Sequence, residues 1–287
     1  MIIAVASGKG GTGKTTVATN LALALQNSVY LDCDVEEPNG HLFLKPVVEK
    51  SETVTRPVPR INYTKCDFCG ECSRVCESHA ITVLPNRVLV FDELCNSCGA
   101  CTYFCPQNAI WEEKIPMGVI RIGKVLPENI GFFEGCLTIG ELSPSPLIGK
   151  VVQKIEPEKI NILDAAPGAS CSMIETVRNA DYCLLITEPT PFGLNDLELA
   201  VEALKNIEVP FGIVINKARS DSTIIDAYCE DNNIPILMRF PFNRRLAEAY
   251  SKGELAVRVF PELKEQFQNL FNEIKLRLQT SVNVLDG

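Results

Sequence analysis

Short apolar runs that end in acidic or glycine turns alternate along most of this chain with stretches whose apolar residues recur at helical spacing. Residues 1–7 and 28–32 are β-rich apolar runs, and 17–25 between them has a helical pattern. The alternation returns later, with a helix over 147–154 behind the Pro144-Ser145-Pro146 boundary and strands over 161–164, 182–187, 211–215 and 234–238. Helices over 192–205 and 222–232 separate the later strands. Such an order predicts right-handed βαβ units and a doubly wound, mainly parallel α/β sheet. Near the C-terminus Phe260, Leu263, Phe267, Leu270, Phe271, Ile274 and Leu278 form one helical stripe. Lys264, Glu265, Glu273, Lys275 and Arg277 mix signs around it, which favours a core-packing helix over a membrane anchor.

The first strand–helix junction carries the chemistry. Gly8-Lys9-Gly10-Gly11-Thr12-Gly13-Lys14-Thr15-Thr16 follows the strand and opens the helix, the context that a phosphate-binding loop requires. Gly8, Gly10, Gly11, Thr12 and Gly13 would turn main-chain N–H groups toward a β-phosphate, and Lys14 would neutralise β/γ oxygens. Thr15 would offer its hydroxyl to Mg2+, and Thr16 can reach the α-phosphate.

The alternation breaks in the middle of the chain, where cysteines take over. Cys66-x2-Cys69-x2-Cys72-x3-Cys76 and Cys95-x2-Cys98-x2-Cys101-x3-Cys105-Pro106 are two copies of one pattern, and each continues alike through Ala80-Ile81 and Ala109-Ile110. Three thiolates of such a run wrap three corners of a 4Fe-4S cluster, and the fourth comes from the other run. Cluster one would take Cys66, Cys69, Cys72 and Cys105; cluster two would take Cys95, Cys98, Cys101 and Cys76. Zinc also uses paired C-x2-C, but no histidine stands in ligand register. Disulfides are disfavoured because the chain opens on a strand pattern without a signal peptide, which reads as cytoplasmic. Residues 63–113 resemble a bacterial-type two-cluster ferredoxin, with Glu77 where the first run usually has proline.

Composition adds limits. The 287 residues, 46% hydrophobic, suffice for one large core plus a small module that clusters would hold together. A formal charge of −9 argues against a nucleic-acid surface, and no apolar run is long enough to span a membrane. His41 and His79 stand isolated and carry no argument.

The GKGGTGKTT loop resembles the deviant Walker A motif of the MinD/ParA/nitrogenase-iron-protein superfamily. The resemblance implies an ATPase that binds ATP or ADP with Mg2+ and is slow until a partner arrives, and a homodimer in which Lys9 reaches the partner's nucleotide. Asp32-Cys33-Asp34 resembles switch I, so Asp34 would orient the attacking water. The run from Asn161 to Gly168 resembles Walker B with switch II, so Asp164 would hold Mg2+ through water. Asn216 matches the adenine-contacting position. Pro241, in Phe240-Pro241-Phe242-Asn243, resembles a loop near the base, although a plain turn accounts for it equally well.

Five cysteines lie outside the runs. Cys183 and Cys229 fall in strand and helix patterns as buried small hydrophobes, and Cys33 lies in the switch I match. Cys136 and Cys171 lie at offsets from Asp164 similar to those of the cysteines by which nitrogenase iron protein holds a cluster on its dimer axis. The resemblance therefore offers a third, shared 4Fe-4S cluster; two incidental cysteines account for them equally well.

The expected organisation is a P-loop ATPase over 1–60 and 115–287, interrupted by a small α+β ferredoxin-type domain over 61–114. The leading expectation is ATP-gated electron transfer through two clusters to a redox partner. The alternatives are an iron–sulfur carrier or assembly ATPase serving a client protein, and a spatial organiser, against which the low positive charge counts.

Overall fold

The computed structural model describes residues 1–218 and 223–285, with side chains to 280. Its strands are β1 (Ile2–Ala6), β2 (Ser28–Asp32), β3 (Val47–Ile61), β4 (Ile81–Leu84), β5 (Arg87–Val90), β6 (Ile110–Val125), β7 (Ile130–Leu137), β8 (Ile160–Asp164), β9 (Tyr182–Thr187), β10 (Phe211–Ala218) and β11 (Ile236–Pro241). Its helices are α1 (Lys14–Ala24), α2 (Gly40–Leu44), α3 (Glu71–Arg74), α4 (Ala100–Tyr103), α5 (Ser145–Val152), α6 (Cys171–Val177), α7 (Pro191–Asn206), α8 (Ile224–Asp231), α9 (Arg244–Ser251), α10 (Ala256–Val259) and α11 (Pro261–Leu285).

Nine strands form one sheet in the order β11-β10-β9-β1-β8-β2-β7-β6-β3. From β11 to β7 every neighbouring pair is parallel, as the strand–helix alternation predicts. The short apolar strands β1, β2, β8 and β9 are buried almost throughout, which is why they read as continuous apolar runs rather than alternating ones. Strand order reverses on either side of β1 and β8, so loops at their carboxyl ends open a crevice for ligands.

Most elements expected from the pattern form, with shifted ends. The first helix begins at Lys14 rather than 17, because the loop feeds directly into it. The last strand runs from Ile236 instead of 234. The helix expected over 222–232 starts on a residue outside those described, and α8 covers Ile224–Asp231. The apolar stripe belongs to α11, where Leu263, Phe267, Leu270 and Ile274 are buried in one cluster with Leu21 and other α1 residues; Phe260, buried with them, precedes the helix. Cys183 and Cys229 are buried within β9 and α8.

The chain divides into two compact units, Met1–Glu52 with Ile120–Cys136 and Ile148–Gly287, and Thr53–Val119 with Leu137–Leu147. The smaller unit is wider than the 61–114 segment and recruits a returning stretch after β7. It contains the hairpin β4–β5 and the one-turn helices α3 and α4. Around the cysteines its core holds only four buried residues, Ile81, Val88, Cys101 and Ile110, with four further partly buried apolar residues and four cysteines against them. So small a core provides little hydrophobic stabilisation.

Candidate functional site

The loop between β1 and α1 needs its glycines. Gly11 and Gly13 have φ of 77° and 95°, in the left-handed region, and a Cβ on Gly13 would lie 2.3 Å from Asn216 Nδ2. Asn216, at the end of β10, instead donates that amide to Thr12 O at 2.7 Å, bracing the loop. Lys14 and Thr15 are buried at the start of α1. A cavity of about 460 Å3 opens from Gly11, Gly13, Lys14, Thr15 and Thr16 to Asn216, Pro241 and Phe242, within the size range of small-molecule sites. Phe43 and Tyr250, whose rings lie 4.9 Å apart, form part of its wall. Lys9 Nζ stands 3.9 Å from Asp196 Oδ2 on α7.

Parallel register sets three acids in one row, two of them at strand ends. Glu134 of β7 pairs with Asp32 of β2, which pairs with Asp164 of β8, and none of the three is solvent-exposed. Each is balanced differently. Glu134 meets Arg121 Nη1 and His41 Nδ1, both at 2.6 Å, so His41 is not the isolated residue that the sequence suggests. Asp32 accepts main-chain N–H bonds from Gly40 at 2.9 Å and Asp34 at 3.2 Å. Asp164 Oδ2 accepts the Tyr30 hydroxyl at 2.9 Å, while its buried Oδ1 takes no hydrogen bond from any described residue. Burial, then the neighbouring Asp164, pushes Asp32 well above the usual carboxylate range. Asp164 is also raised by burial, against the pull of the Lys14 ammonium. Asp34, nearer solvent, is lifted to about 6 by burial, with Lys14 again opposing. The pattern of the chain gave no sign of Tyr30, Glu134 or His41, since their partners lie up to 134 residues away.

In the smaller unit the cysteines of the two runs sort into two cavities. Cys66, Cys69, Cys72 and Cys105 line one, together with Phe68, Ile61 and Ile110. Cys76, Cys95, Cys98 and Cys101 line the other, with Pro57, Pro59 and Ile81. The duplication extends to the main chain. Phe68 and Ser97, Gly70 and Gly99, and His79 and Asn108 all have positive φ at equivalent positions. Ala80 N donates to Cys76 Sγ at 3.2 Å, and Ala109 N to Cys105 Sγ at 3.3 Å. Burial pushes the Cys72 thiol up to about 11 and also raises Cys101, and nearby sulfurs add to both. Among the described residues no three His, Cys, Asp or Glu side chains converge on a single metal ion. Four thiols line each of the two cavities. Cys136 is half-buried in β7, and Cys171 is exposed at the first position of α6.

No helix of the described residues is long and apolar enough to cross a membrane.

The chain is 30% identical over 96% of its length to an uncharacterized protein of Methanocaldococcus jannaschii, covering 97% of that protein. It is 24% identical to the iron-sulfur cluster carrier protein of Pyrococcus horikoshii, over 95% of this chain and 87% of that one. Among solved structures, the septum site-determining protein MinD of P. horikoshii, complexed with Mg-ADP, superposes with a TM-score of 0.60 at 20% identity and covers 95% of each chain. Residues 3–257 match the family described as the CobQ/CobB/MinD/ParA nucleotide binding domain. The loop, the parallel sheet and this match agree: the chain belongs to the CobQ/CobB/MinD/ParA nucleotide-binding domain family.

Proposed function

We propose that this chain is an ATP-hydrolysing iron–sulfur protein that passes clusters to a client protein under nucleotide control. The observation that carries the reading is the sorting of the run cysteines into two cavities of four, in a chain of a nucleotide-binding family. Its relatives include proteins named iron-sulfur cluster carriers. The donor set suits two 4Fe-4S clusters, and when bound they supply a store of iron and sulfide that also exchanges single electrons.

In this reading the loop from Gly8 to Gly13 cradles the phosphates, Lys14 neutralises them, and Thr16 meets the α-phosphate. Asn216 and Pro241 flank the base. Thr15 and Asp164 hold Mg2+, directly and through water; the unpartnered, buried Oδ1 of Asp164 suits such a shell. Asp34 orients the attacking water, and Lys9 leaves Asp196 for the nucleotide of a second copy in a homodimer. The domain boundary follows, with 61–114 as the inserted ferredoxin-type segment. The test is anaerobic purification with an iron and sulfide count beside ATP turnover. Wild type should carry about eight irons per chain. Lys14→Ala should keep the iron and lose turnover; iron-free wild-type protein would refute the reading.

Interleaved ligation favours a second reading, ATP-gated electron transfer, because clusters knitted by both runs resist removal. Its mark is a midpoint shift beyond ~60 mV, about 1.4 kcal/mol for one electron, between MgADP and a non-hydrolysable MgATP analogue. A third cluster bridging two copies through Cys136 and Cys171 predicts extra iron that Cys171→Ser removes; an unchanged count sinks it.

A further inference from the structure

The second cysteine set is held by a device built on a buried charge. Arg56 of β3 is only 3% exposed. Its Nε and Nη2 donate to the two carboxylate oxygens of Glu141 at 2.8 and 3.1 Å. Two further N–H bonds go to main-chain carbonyls, from Nη1 to Cys95 O at 3.1 Å and from Nη2 to Asp92 O at 2.8 Å. Cys95 opens the second run, and Asp92 begins the turn that delivers it. Arg60, on the same face of the same strand, clamps the Asp92 carboxylate with both Nη atoms at 2.8 Å. The turn that delivers Cys66 is organised locally instead, by the Asn62 side chain on Thr64 and by the Asn62 carbonyl on the Cys66 N–H.

A guanidinium has five N–H donors in a rigid fork, and Arg56 commits its fork to one carboxylate and two carbonyls around one turn. An ammonium at the same place could not span all three acceptors. Glu141, itself mostly buried, gains its place by neutralising that fork. Removing either partner alone would strand a buried charge, whereas removing both leaves the packing intact but frees the turn.

We propose that Arg56, with Glu141 as its counter-ion, is the positioning residue for the second cysteine set. It fixes the turn that presents Cys95, and so governs iron occupancy of Cys76, Cys95, Cys98 and Cys101 while leaving the other set untouched. The proposal rests on the reading of both sets as cluster sites. Groups behind metal ligands commonly set their affinity by tens-fold.

The experiment is an anaerobic iron and sulfide count, with electron paramagnetic resonance of the reduced protein, on full-length wild type, R56K and the double variant R56M/E141L. Circular dichroism checks the fold. The double variant is expected to fold and to drop from about eight irons to about four, and adding Cys66→Ser to it should leave none. R56K keeps the charge but loses the fork, so a chelator should strip about half of its iron at least about tenfold faster than from wild type, the other half being unchanged. A folded double variant with full iron, loss from the first set, or R56K kinetics equal to wild type would each overturn the proposal. Wild type without iron would instead overturn the cluster reading beneath it.

Discussion

Replacing Asp34 by asparagine should stabilise the nucleotide-free protein while abolishing hydrolysis. Burial holds the Asp34 carboxyl near 6 in the folded protein, against an ordinary 3.8. The native state therefore binds more protons than the unfolded state between those values, so this group's contribution to stability falls as pH rises through the interval. At 1.36 kcal/mol per decade, the cost of ionising Asp34 in place reaches about 3 kcal/mol at pH 7.5 and about half of that at pH 5. Asparagine keeps the shape and one acceptor oxygen but never ionises, so the cost disappears. Anaerobic urea unfolding followed by far-UV circular dichroism reads this directly. D34N should gain on the order of 2–3 kcal/mol over wild type at pH 7.5 and clearly less at pH 5. A gain that does not change with pH, or a loss of stability at pH 7.5, would refute the electrostatic reasoning. No ATP turnover should remain in the variant, since the group proposed to orient water is gone.

Other consequences follow from single contacts. Tyr30→Phe removes the hydroxyl donated to Asp164, which should cost about 1–2 kcal/mol in urea unfolding and raise the Mg2+ concentration needed for half-maximal turnover. Gly13→Ala forces a side chain into the left-handed region and against the Asn216 amide, so nucleotide binding measured by calorimetry should be lost, with at least about 1 kcal/mol of stability. Cys105→Ser, although in the second run, should abolish the cluster of the Cys66 cavity and spare the other, as resolved by paramagnetic resonance; loss of the opposite signal would break the crossed assignment.

The phosphate loop was legible because it is local: nine adjacent residues carry the turn, the lysine and the hydroxyls, and the flanking apolar runs state their own period. The cysteine runs were legible for the same reason, each being one tight loop copied once. Strand β3 was not legible. Its first half is exposed and polar, and Pro57 and Pro59 argue against a strand, yet it stands at the sheet end, where missing N–H donors are tolerated. The acid row was half legible. Asp32 and Asp164 end apolar strands and attract notice, but Glu134 sits in a strand whose register with β2 only the fold determines. Tyr30 reads as one more apolar core residue, and its hydroxyl acquires meaning only when β8 lies beside β2. Arg56 is hidden the same way, because Glu141 arrives from 85 residues downstream.

The central claim is that nucleotide state controls what happens to the clusters. Its most direct test is the rate at which anaerobic holo-protein transfers iron–sulfur cargo to an apo acceptor enzyme, with MgATP and with MgADP, followed by the acceptor's regained activity. The account predicts rates that differ at least about tenfold, equivalent to 1.4 kcal/mol, and that converge in Lys14→Ala. Equal rates in wild type with both nucleotides would contradict it.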